Sequence, residues 1–248
     1  MRRVLAVGGS DSGGGAGIQA DVKVLHSLGV HAATAVTAVT AQDTLAVRGV
    51  WPVPAEALRA QLRAVLDDIG ADVVKTGMLP SAESVRVVAD EIGDVPLVVD
   101  PVGLSSTGQR LGDPAALRRL LPRALVVTPN LAEVEALTGV VVAGGDDLLD
   151  AAKAVHALGP RWVLVTGGHL PDDAVDLLYD GTTAHELRGP RVRTPHTHGT
   201  GCTLASALAG HLALGKDVPE AAALAKEVVT EALRRGHPLG GGAGPVRV

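Results

Sequence analysis

Aromatic residues and cysteine are nearly absent from this chain of 248 residues, which has no phenylalanine, two tryptophans, one tyrosine and one cysteine. So few rings give nucleic-acid bases no platform for stacking, and a formal net charge of −5 does not attract a phosphate backbone. No apolar run is long enough to cross a membrane. We therefore expect neither nucleic-acid nor membrane partners. A single cysteine cannot form an internal disulfide, which fits a reducing compartment such as the cytoplasm.

Apolar residues, in contrast, make up 46% of the chain, enough for a large core of Val, Leu, Ala and Ile. Short apolar runs alternate with amphipathic segments from end to end, which predicts one doubly wound α/β domain over residues 1–248 with a mostly parallel sheet. Strands are predicted at 4–8, 32–40, 72–75, 96–99, 124–127 and 162–165, and helices at 18–28, 54–69, 81–91, 114–121, 131–137, 146–158, 200–214 and 218–235. The Asp180-Gly181 turn predicts a late hairpin of antiparallel edge strands at 175–179 and 183–187.

The most informative stretch is 196–207, which reads HTHGTGCTLASA. Gly199 and Gly201 flank Thr200 and open a run of small, helix-tolerant residues. The first turn of a helix has free N–H groups and the positive end of the helix dipole, so this stretch predicts an anion site. Cys202 lies in that turn, where a thiol has a lowered pKa unless apolar surroundings bury it. The alternative is a glycine-rich connection into a buried helix, with Cys202 as a small core residue.

A second glycine-rich stretch, residues 9–17, lies between the first predicted strand and the first helix. Residues 15–20 fit the loose form of the dinucleotide fingerprint, and Asp43 follows the second strand, but this loop is longer than the tight turn of that motif. No Lys-Ser or Lys-Thr pair follows, which excludes a Walker P-loop. The alternative is a flexible surface loop.

Carboxylates follow two of the predicted strands. Asn130 and Glu133 have the spacing of a capping box at a helix start, and Glu133 is also a candidate for a magnesium ion or its water shell. Asp100 ends an apolar strand before Pro101, where it is either a metal-site carboxylate or the start of an ordinary turn. Two anion-friendly glycine loops with carboxylates at one sheet edge indicate phosphoryl transfer without a P-loop.

Other polar or unusual residues are interpreted more simply. Met78 either fills the core or contacts an aromatic ligand ring. Lys75 and Asp72 are predicted to lie on solvated faces. The histidines at 169, 196 and 198 lack the spacing of metal ligands, so no zinc site is predicted.

Seven motifs together are similar to one known family. They are 9–21 (GSDSGGGAGIQAD), 37–44 (TAVTAQDT), 75–79 (KTGML), 100–102 (DPV), 128–133 (TPNLAE), 167–169 (GGH) and 197–204 (THGTGCTL). On these motifs the chain resembles the hydroxymethylpyrimidine/phosphomethylpyrimidine kinases of thiamine biosynthesis, within the ribokinase-like superfamily. The resemblance implies a three-layer αβα sandwich with a mostly parallel central sheet and a few antiparallel edge strands. It also implies a homodimer.

The activity implied by the resemblance is transfer of a phosphoryl group from ATP, with Mg²⁺, to 4-amino-5-hydroxymethyl-2-methylpyrimidine, and then to its monophosphate. Position by position, the matching motifs imply a substrate pocket formed by Gly9, Ala16, Gln42, Met78, Val102 and Cys202. They imply a catalytic anion hole at Gly199, Thr200, Gly201 and Cys202, and an ATP site at Asn130, Thr166, Gly168 and Thr200. The implied metal-site carboxylates are Asp100 and Glu133. Gln42 would bind the aminopyrimidine edge. Cys202 would stand where sugar kinases of the superfamily carry an aspartate base.

The chain departs from the family pattern at five positions. Methionine is usual at Gly103, lysine at Ser106 and Thr166, asparagine at Asp43 and histidine at Gly241. The two missing lysines leave open a catalytically weak pyrimidine-binding protein. A pyridoxal kinase is the other alternative, because vitamin B6 kinases share the fold and the glycine loops.

Overall fold

Nine β-strands and eight α-helices organise the part of the chain that the computed structural model describes, residues 1–103, 108–109, 111–142, 144, 147–167 and 174–248. The strands are β1 (Arg3–Ser10), β2 (His31–Gln42), β3 (Val47–Pro52), β4 (Val73–Thr76), β5 (Leu97–Val99), β6 (Val126–Val127), β7 (Trp162–Val165), β8 (Ala174–Tyr179) and β9 (Ala184–Gly189). The helices are α1 (Gly17–Ser27), α2 (Ala55–Ala64), α3 (Ala82–Glu91), α4 (Pro114–Leu117), α5 (Leu131–Thr138), α6 (Leu148–His156), α7 (Thr200–Ala213) and α8 (Val218–Arg234).

The strands form one sheet in the order β3-β2-β1-β4-β5-β6-β7-β8-β9. The strands from β2 through β7 in this order are parallel, while β3, β8 and β9 are antiparallel to their neighbours. The predicted mostly parallel sheet with antiparallel edges is therefore confirmed, as is the late hairpin. The chain leaves β1 toward β2 and later returns to β4 on the other side of β1. A crevice at such a reversal, beyond the carboxyl ends of the strands, is where doubly wound sheets bind ligands.

Both faces of the sheet are covered, which explains why its central strands read as continuous apolar runs. Leu5 and Val7 of β1 face a core that includes Leu58 and Leu62 of α2 and residues of α3 to α6. Val4 faces a second core formed with α1, α7 and α8. These two cores on opposite faces give the three-layer αβα sandwich expected from the resemblance.

The structure differs from the predicted elements in three places. Strand β3 was not predicted, because it is a half-exposed edge strand without a regular apolar alternation. The helix predicted at 54–69 ends at Ala64, and a π-helical turn (Val65–Ile69) continues it to Gly70. The helix predicted at 114–121 stops at Leu117, and a 3₁₀ turn containing Pro122 follows. Among the described residues, none of the helices combines the length and the apolarity that a membrane span requires.

Candidate active site

The carboxyl edge of the sheet gathers most of the residues predicted for a site. Loop 11–16 follows β1 and leads into α1, Met78 follows β4, and Asp100 follows β5. Asn130 and Thr166 follow β6 and β7 and pair with each other in an isolated parallel bridge. The N-terminus of α7 completes this edge, because α7 packs against α1 and β4. Gly168 and Ser106 lie outside the described residues.

Gly9 and Met78 form the floor of the predicted substrate pocket. A Cβ atom on Gly9 would lie 2.8 Å from the Met78 Sδ, so the methionine thioether packs directly on the glycine backbone. Met78 is buried, and its carbonyl oxygen accepts a 2.7 Å hydrogen bond from Thr37 Oγ1. A fixed, polarisable sulfur at this point suits the face of a flat ring.

Gln42 ends β2 beside the same pocket. Its backbone N–H donates to Ser12 Oγ and its carbonyl oxygen accepts from the same hydroxyl, each at 2.8 Å. The Thr40 hydroxyl is within donor distance of two acceptors, Gln42 Oε1 at 3.3 Å and the Ser10 carbonyl oxygen at 3.0 Å. These contacts fix the end of β2 to the glycine loop and orient the carboxamide.

The anion site predicted at the start of α7 has the expected backbone form. Gly199 is the N-cap, with φ +86°, and no side chain caps the helix. A Cβ on Gly201 would enter open space, whereas one on Gly199 would overlap the Gly15 carbonyl oxygen. The first turn of α7 therefore keeps its helix-dipole charge for an anion, next to loop 11–16.

The prediction that Lys75 lies on a solvated face is wrong. Its side chain is 1% exposed, because β4 is covered on both faces, and its Nζ lies 2.9 Å from Asp21 Oδ1 and 3.8 Å from Asp100 Oδ2. Ser206 Oγ donates to the same Asp21 oxygen at 2.6 Å. Burial alone would lower the pKa of Lys75, but the neighbouring Asp21, Cys202 and Asp100 raise it, so the ammonium stays charged. Asp72, in contrast, is partly exposed and pairs with Arg2 and Arg3.

Cys202 lies half-buried at the start of α7, close to Lys75 and Asp100. Burial raises the pKa of the thiol to about 12, although Lys75 acts in the opposite direction. The lowered pKa expected of an accessible thiol is therefore not found, because desolvation outweighs the Lys75 ammonium and the hydrogen bond from the Gly17 backbone together. At neutral pH the Cys202 side chain is an uncharged thiol.

Asp100 and Glu133 are the two carboxylates predicted for the metal region. Asn130 and Glu133 form the predicted capping box: Glu133 N donates to Asn130 Oδ1 at 3.0 Å, and Asn130 N donates to Glu133 Oε2 at 2.9 Å. Burial raises the pKa of Glu133, and the nearby Asp100 raises it further; burial also raises the pKa of Asp100 against the effect of Lys75. A carboxylate whose anion is destabilised by burial and by a neighbouring carboxylate suits a divalent cation.

A magnesium ion fits this arrangement of donors. Asp100 Oδ2 is buried and has no hydrogen-bond partner among the described residues. Those residues contain no cluster of three or more His, Cys, Asp or Glu that would form an all-protein metal cage. Mg²⁺ prefers one or two carboxylates and completes its shell with waters and phosphate oxygens, so Asp100 and Glu133 are sufficient protein ligands.

Next to Thr166, which is predicted for the ATP site, the structure shows two residues that the sequence analysis missed. Gly167 N donates to Asp176 Oδ1 at 3.0 Å, and Lys226 Nζ lies 2.6 Å from Asp176 Oδ2. Both side chains are largely buried. Asp176 thus fixes the backbone just after Thr166, although β8 and α8 show no local motif that would have revealed this pair.

The fold defines the class of protein: it is that of the ribokinase-like kinases, with the glycine loop after β1 next to the N-terminus of α7. Within that class, the sequence model of the family described as phosphomethylpyrimidine kinase matches residues 11–247. The chain therefore belongs to this family and is a phosphotransferase.

Individual relatives agree with this assignment. The hydroxymethylpyrimidine/phosphomethylpyrimidine kinase of Streptomyces coelicolor is 59% identical over 98% of this chain and 93% of its own length. The ADP complex of Bacillus subtilis pyridoxal kinase superposes with a TM-score of 0.93 at 41% identity, over 100% of this chain and 97% of that one. The phosphomethylpyrimidine kinase of Clostridium difficile gives 0.82 at 36% identity, over 94% and 100%. The chain thus has the fold of ATP-binding vitamin kinases.

The buried Lys75 network predicts a large stability effect. Lys75→Met keeps the side-chain length but leaves Asp21 and Asp100 without their cation, so the free energy of unfolding in urea should fall by about 3–5 kcal/mol. The control is Lys153→Met on α6, whose exposed ammonium lies 3.3 Å from Asp150 and should cost less than about 1 kcal/mol. Adding Asp21→Asn to Lys75→Met should recover part of the loss. Equal costs for the two lysine variants would contradict this interpretation.

Proposed function

We propose that this chain phosphorylates the hydroxymethyl group of 4-amino-5-hydroxymethyl-2-methylpyrimidine with ATP, and then converts the monophosphate to the diphosphate for thiamine biosynthesis. The observation that carries the proposal is the contact of Gly15, in the loop 11–16 beside the predicted pocket (the pocket loop), with Gly199 at the uncapped N-terminus of α7. A small ring in the pocket would present its hydroxymethyl group toward an anion site. Family membership supports the same substrate class.

The remaining assignments are part of the same proposal. Residues 1–248 act as one kinase domain, supported by the single sheet that joins all nine described strands. The reaction runs in the cytoplasm, without nucleic-acid or membrane partners.

The chain forms a homodimer, which is supported by the exposed apolar residues Val39, Leu45 and Trp51 around the β2–β3 edge. A monomer mass in light scattering would contradict this.

The pocket residues have complementary roles. Gln42 offers one acceptor and two donors, which match a ring nitrogen beside an exocyclic amine. Met78 contacts the ring face, and Gly9, Ala16 and Val102 leave space for a flat substrate. Asn130, Thr166 and Gly168, with Thr200, line the path of the nucleotide.

Phosphoryl transfer depends mainly on positioning and charge. In the first step the substrate alcohol oxygen bonds to the γ-phosphorus of ATP, the bond to the β–γ bridging oxygen breaks, and the alcohol proton must leave. Gly199, Thr200 and Gly201 would surround the transferred group with backbone N–H donors, for which Thr200 N must exchange its 3.2 Å bond to the Thr197 carbonyl oxygen for one to the phosphate. A thiolate at Cys202 would accept this proton; because the resting thiol is protonated, it must first release its own proton to solvent, and Lys75 lowers the cost of that ionisation. Mg²⁺, held by Asp100 and Glu133, would neutralise phosphate charge.

In the second step the nucleophile is an ionised phosphate, which needs no base. The uncharged Cys202 thiol then adds no negative charge beside it. This difference explains why a cysteine suits two successive acceptors better than an aspartate would.

Pyridoxal phosphorylation is a second candidate activity. It is favoured by the match to the Bacillus subtilis pyridoxal kinase at 41% identity over the whole chain. Both substrates are small nitrogen heterocycles with a hydroxymethyl group, so the same anion site would serve either one.

A coupled ADP-release assay tests the function. We expect turnover with the hydroxymethylpyrimidine and with its monophosphate, and weaker turnover with pyridoxal. Faster turnover with pyridoxal would make the vitamin B6 activity the main one. Pyrimidine binding by calorimetry without any turnover would instead support a catalytically weak binding protein. The weak catalysis would then be explained in part by Ser106 and Thr166, which stand where the family usually has lysine.

Gln42→Ala should weaken pyrimidine binding by roughly 1–3 kcal/mol, because the polar edge of the ring loses its paired donors and acceptor. Calorimetry gives the dissociation constant. Gln61→Ala is the matched control, because the Gln61 carboxamide on α2 bonds to the Val36 backbone. This variant should lower stability but leave pyrimidine affinity unchanged. An unchanged dissociation constant for Gln42→Ala would remove Gln42 from the pocket.

Cys202→Asp should slow the monophosphate reaction more than the alcohol reaction. At about 4 Å and an effective dielectric near 20, a like-charge pair costs about 4 kcal/mol. The anion site and Mg²⁺ reduce this cost, so we expect a differential loss of about 10- to 100-fold in kcat/KM. Cys202→Ser, which is also uncharged, serves as the control. Equal losses with both substrates would indicate that Cys202 only packs the site.

A further inference from the structure

Asp11 is a buried carboxylate that the reaction described above does not use. It is 3% exposed and lies between β1 and α1. Its Oδ1 accepts a 2.8 Å bond from Gly13 N, and its Oδ2 accepts from Gly15 N at 3.1 Å and from Ala16 N at 2.9 Å. Asp11 therefore determines the path of the pocket loop up to Ala16.

The fourth partner of Asp11 comes from the other glycine stretch. His198 Nε2 lies 3.1 Å from Asp11 Oδ2, although 187 positions separate the two residues in the sequence. Burial alone would raise the pKa of Asp11, but the bonds from His198, Ala16 and Gly13 lower it below its ordinary value. The carboxylate is thus an acceptor only, so Nε2 carries the proton of this bond.

Backbone packing shows how closely this pair joins the two loops. A Cβ on Gly15 would overlap the His198 ring, and a Cβ on Gly199 would overlap the Gly15 carbonyl oxygen. On its other side, His198 N donates to the Gly244 carbonyl oxygen at 3.2 Å, and Val246 N donates to the His198 carbonyl oxygen at 3.0 Å. His198 is therefore held from the tail while its ring contacts the pocket loop.

We propose that Asp11 and His198 form a positioning pair that sets the distance between the acceptor pocket and the anion site. The inference rests on the proposed function, because it assigns the pocket loop to the pyrimidine and α7 to the transferred phosphate. The pair touches neither reacting group. It acts through Ala16 on one side and Gly199 on the other, so its loss misplaces the acceptor oxygen relative to the γ-phosphorus.

The test compares three variants. His198→Leu removes the ring N–H and should lower kcat with both pyrimidine substrates by about 10- to 100-fold, the effect of an ångström-scale misplacement, while the ADP dissociation constant stays unchanged. His198→Gln keeps an amide N–H at similar reach and should recover most of the lost kcat. His196→Leu is the matched control, because it removes only a 3.3 Å bond from Gly244 N to His196 Nδ1; its kcat should equal that of the wild type.

Hydrogen–deuterium exchange gives a readout that does not depend on activity. His198→Leu should speed exchange of the amides at Gly13, Gly15 and Ala16, far from the substitution in sequence, whereas His196→Leu should not. Should His198→Leu fail to fold, His198→Asn replaces it, since the shorter amide does not reach Asp11.

In His198→Leu, or in its Asn substitute, either of two results would overturn the positioning pair: a wild-type kcat, or unchanged exchange over residues 13–16. A wild-type chain inactive toward both pyrimidines would refute the proposed function instead, and the exchange experiment would still decide whether His198 holds the pocket loop. Equal losses of kcat in the Leu and Gln variants would also contradict the pair.

Discussion

One buried ammonium group holds the centre of this molecule together. Lys75 extends from the middle of the sheet to Asp21 on α1 and to Asp100 after β5, and it lies close to Cys202 on α7. A cation in such an environment is costly unless its neighbours are anionic, and the same neighbours are costly without it. The positions of three elements around the site are thus tied to one charge balance.

That balance has a direct bearing on the chemistry of the crevice. Asp100 lies 3.8 Å from Lys75 and raises the pKa of Glu133, and one of its oxygens has no hydrogen-bond partner among the described residues. Cys202 remains a neutral thiol because burial prevails over the nearby ammonium. In the proposed reaction the site would therefore present uncharged sulfur and backbone dipoles toward the acceptor, and carboxylates toward the cation. This separation suits a reaction whose acceptor changes from an alcohol to an anion.

The sequence was sufficient for features encoded over short distances. The apolar runs predicted the central strands, the glycine stretches predicted both loops, and the Asn130–Glu133 spacing predicted the capping box.

Strand β3 was missed because edge strands lack a strong apolar signal. Lys75 was misplaced because a charged residue is normally solvated, and only its packing with Asp21 shows otherwise. The Asp11–His198 and Asp176–Lys226 pairs join distant segments, so no local pattern announces them. The roles of the individual site residues remain predictions.

The contact between the two glycine loops also has a consequence for the order of folding. Strands β1, β2 and β4 lie within the first 76 residues, and β1 pairs directly with both of the others. The partners that complete the pocket come much later: His198 reaches Asp11 across 187 positions, and Gly242 reaches Thr44 across 198. Contacts of such separation carry a high loop-closure entropy and form late. During synthesis on the ribosome, the amino-terminal half of the sheet is available to fold while the catalytic crevice is still open, and ligand binding begins only when nearly the whole chain has emerged.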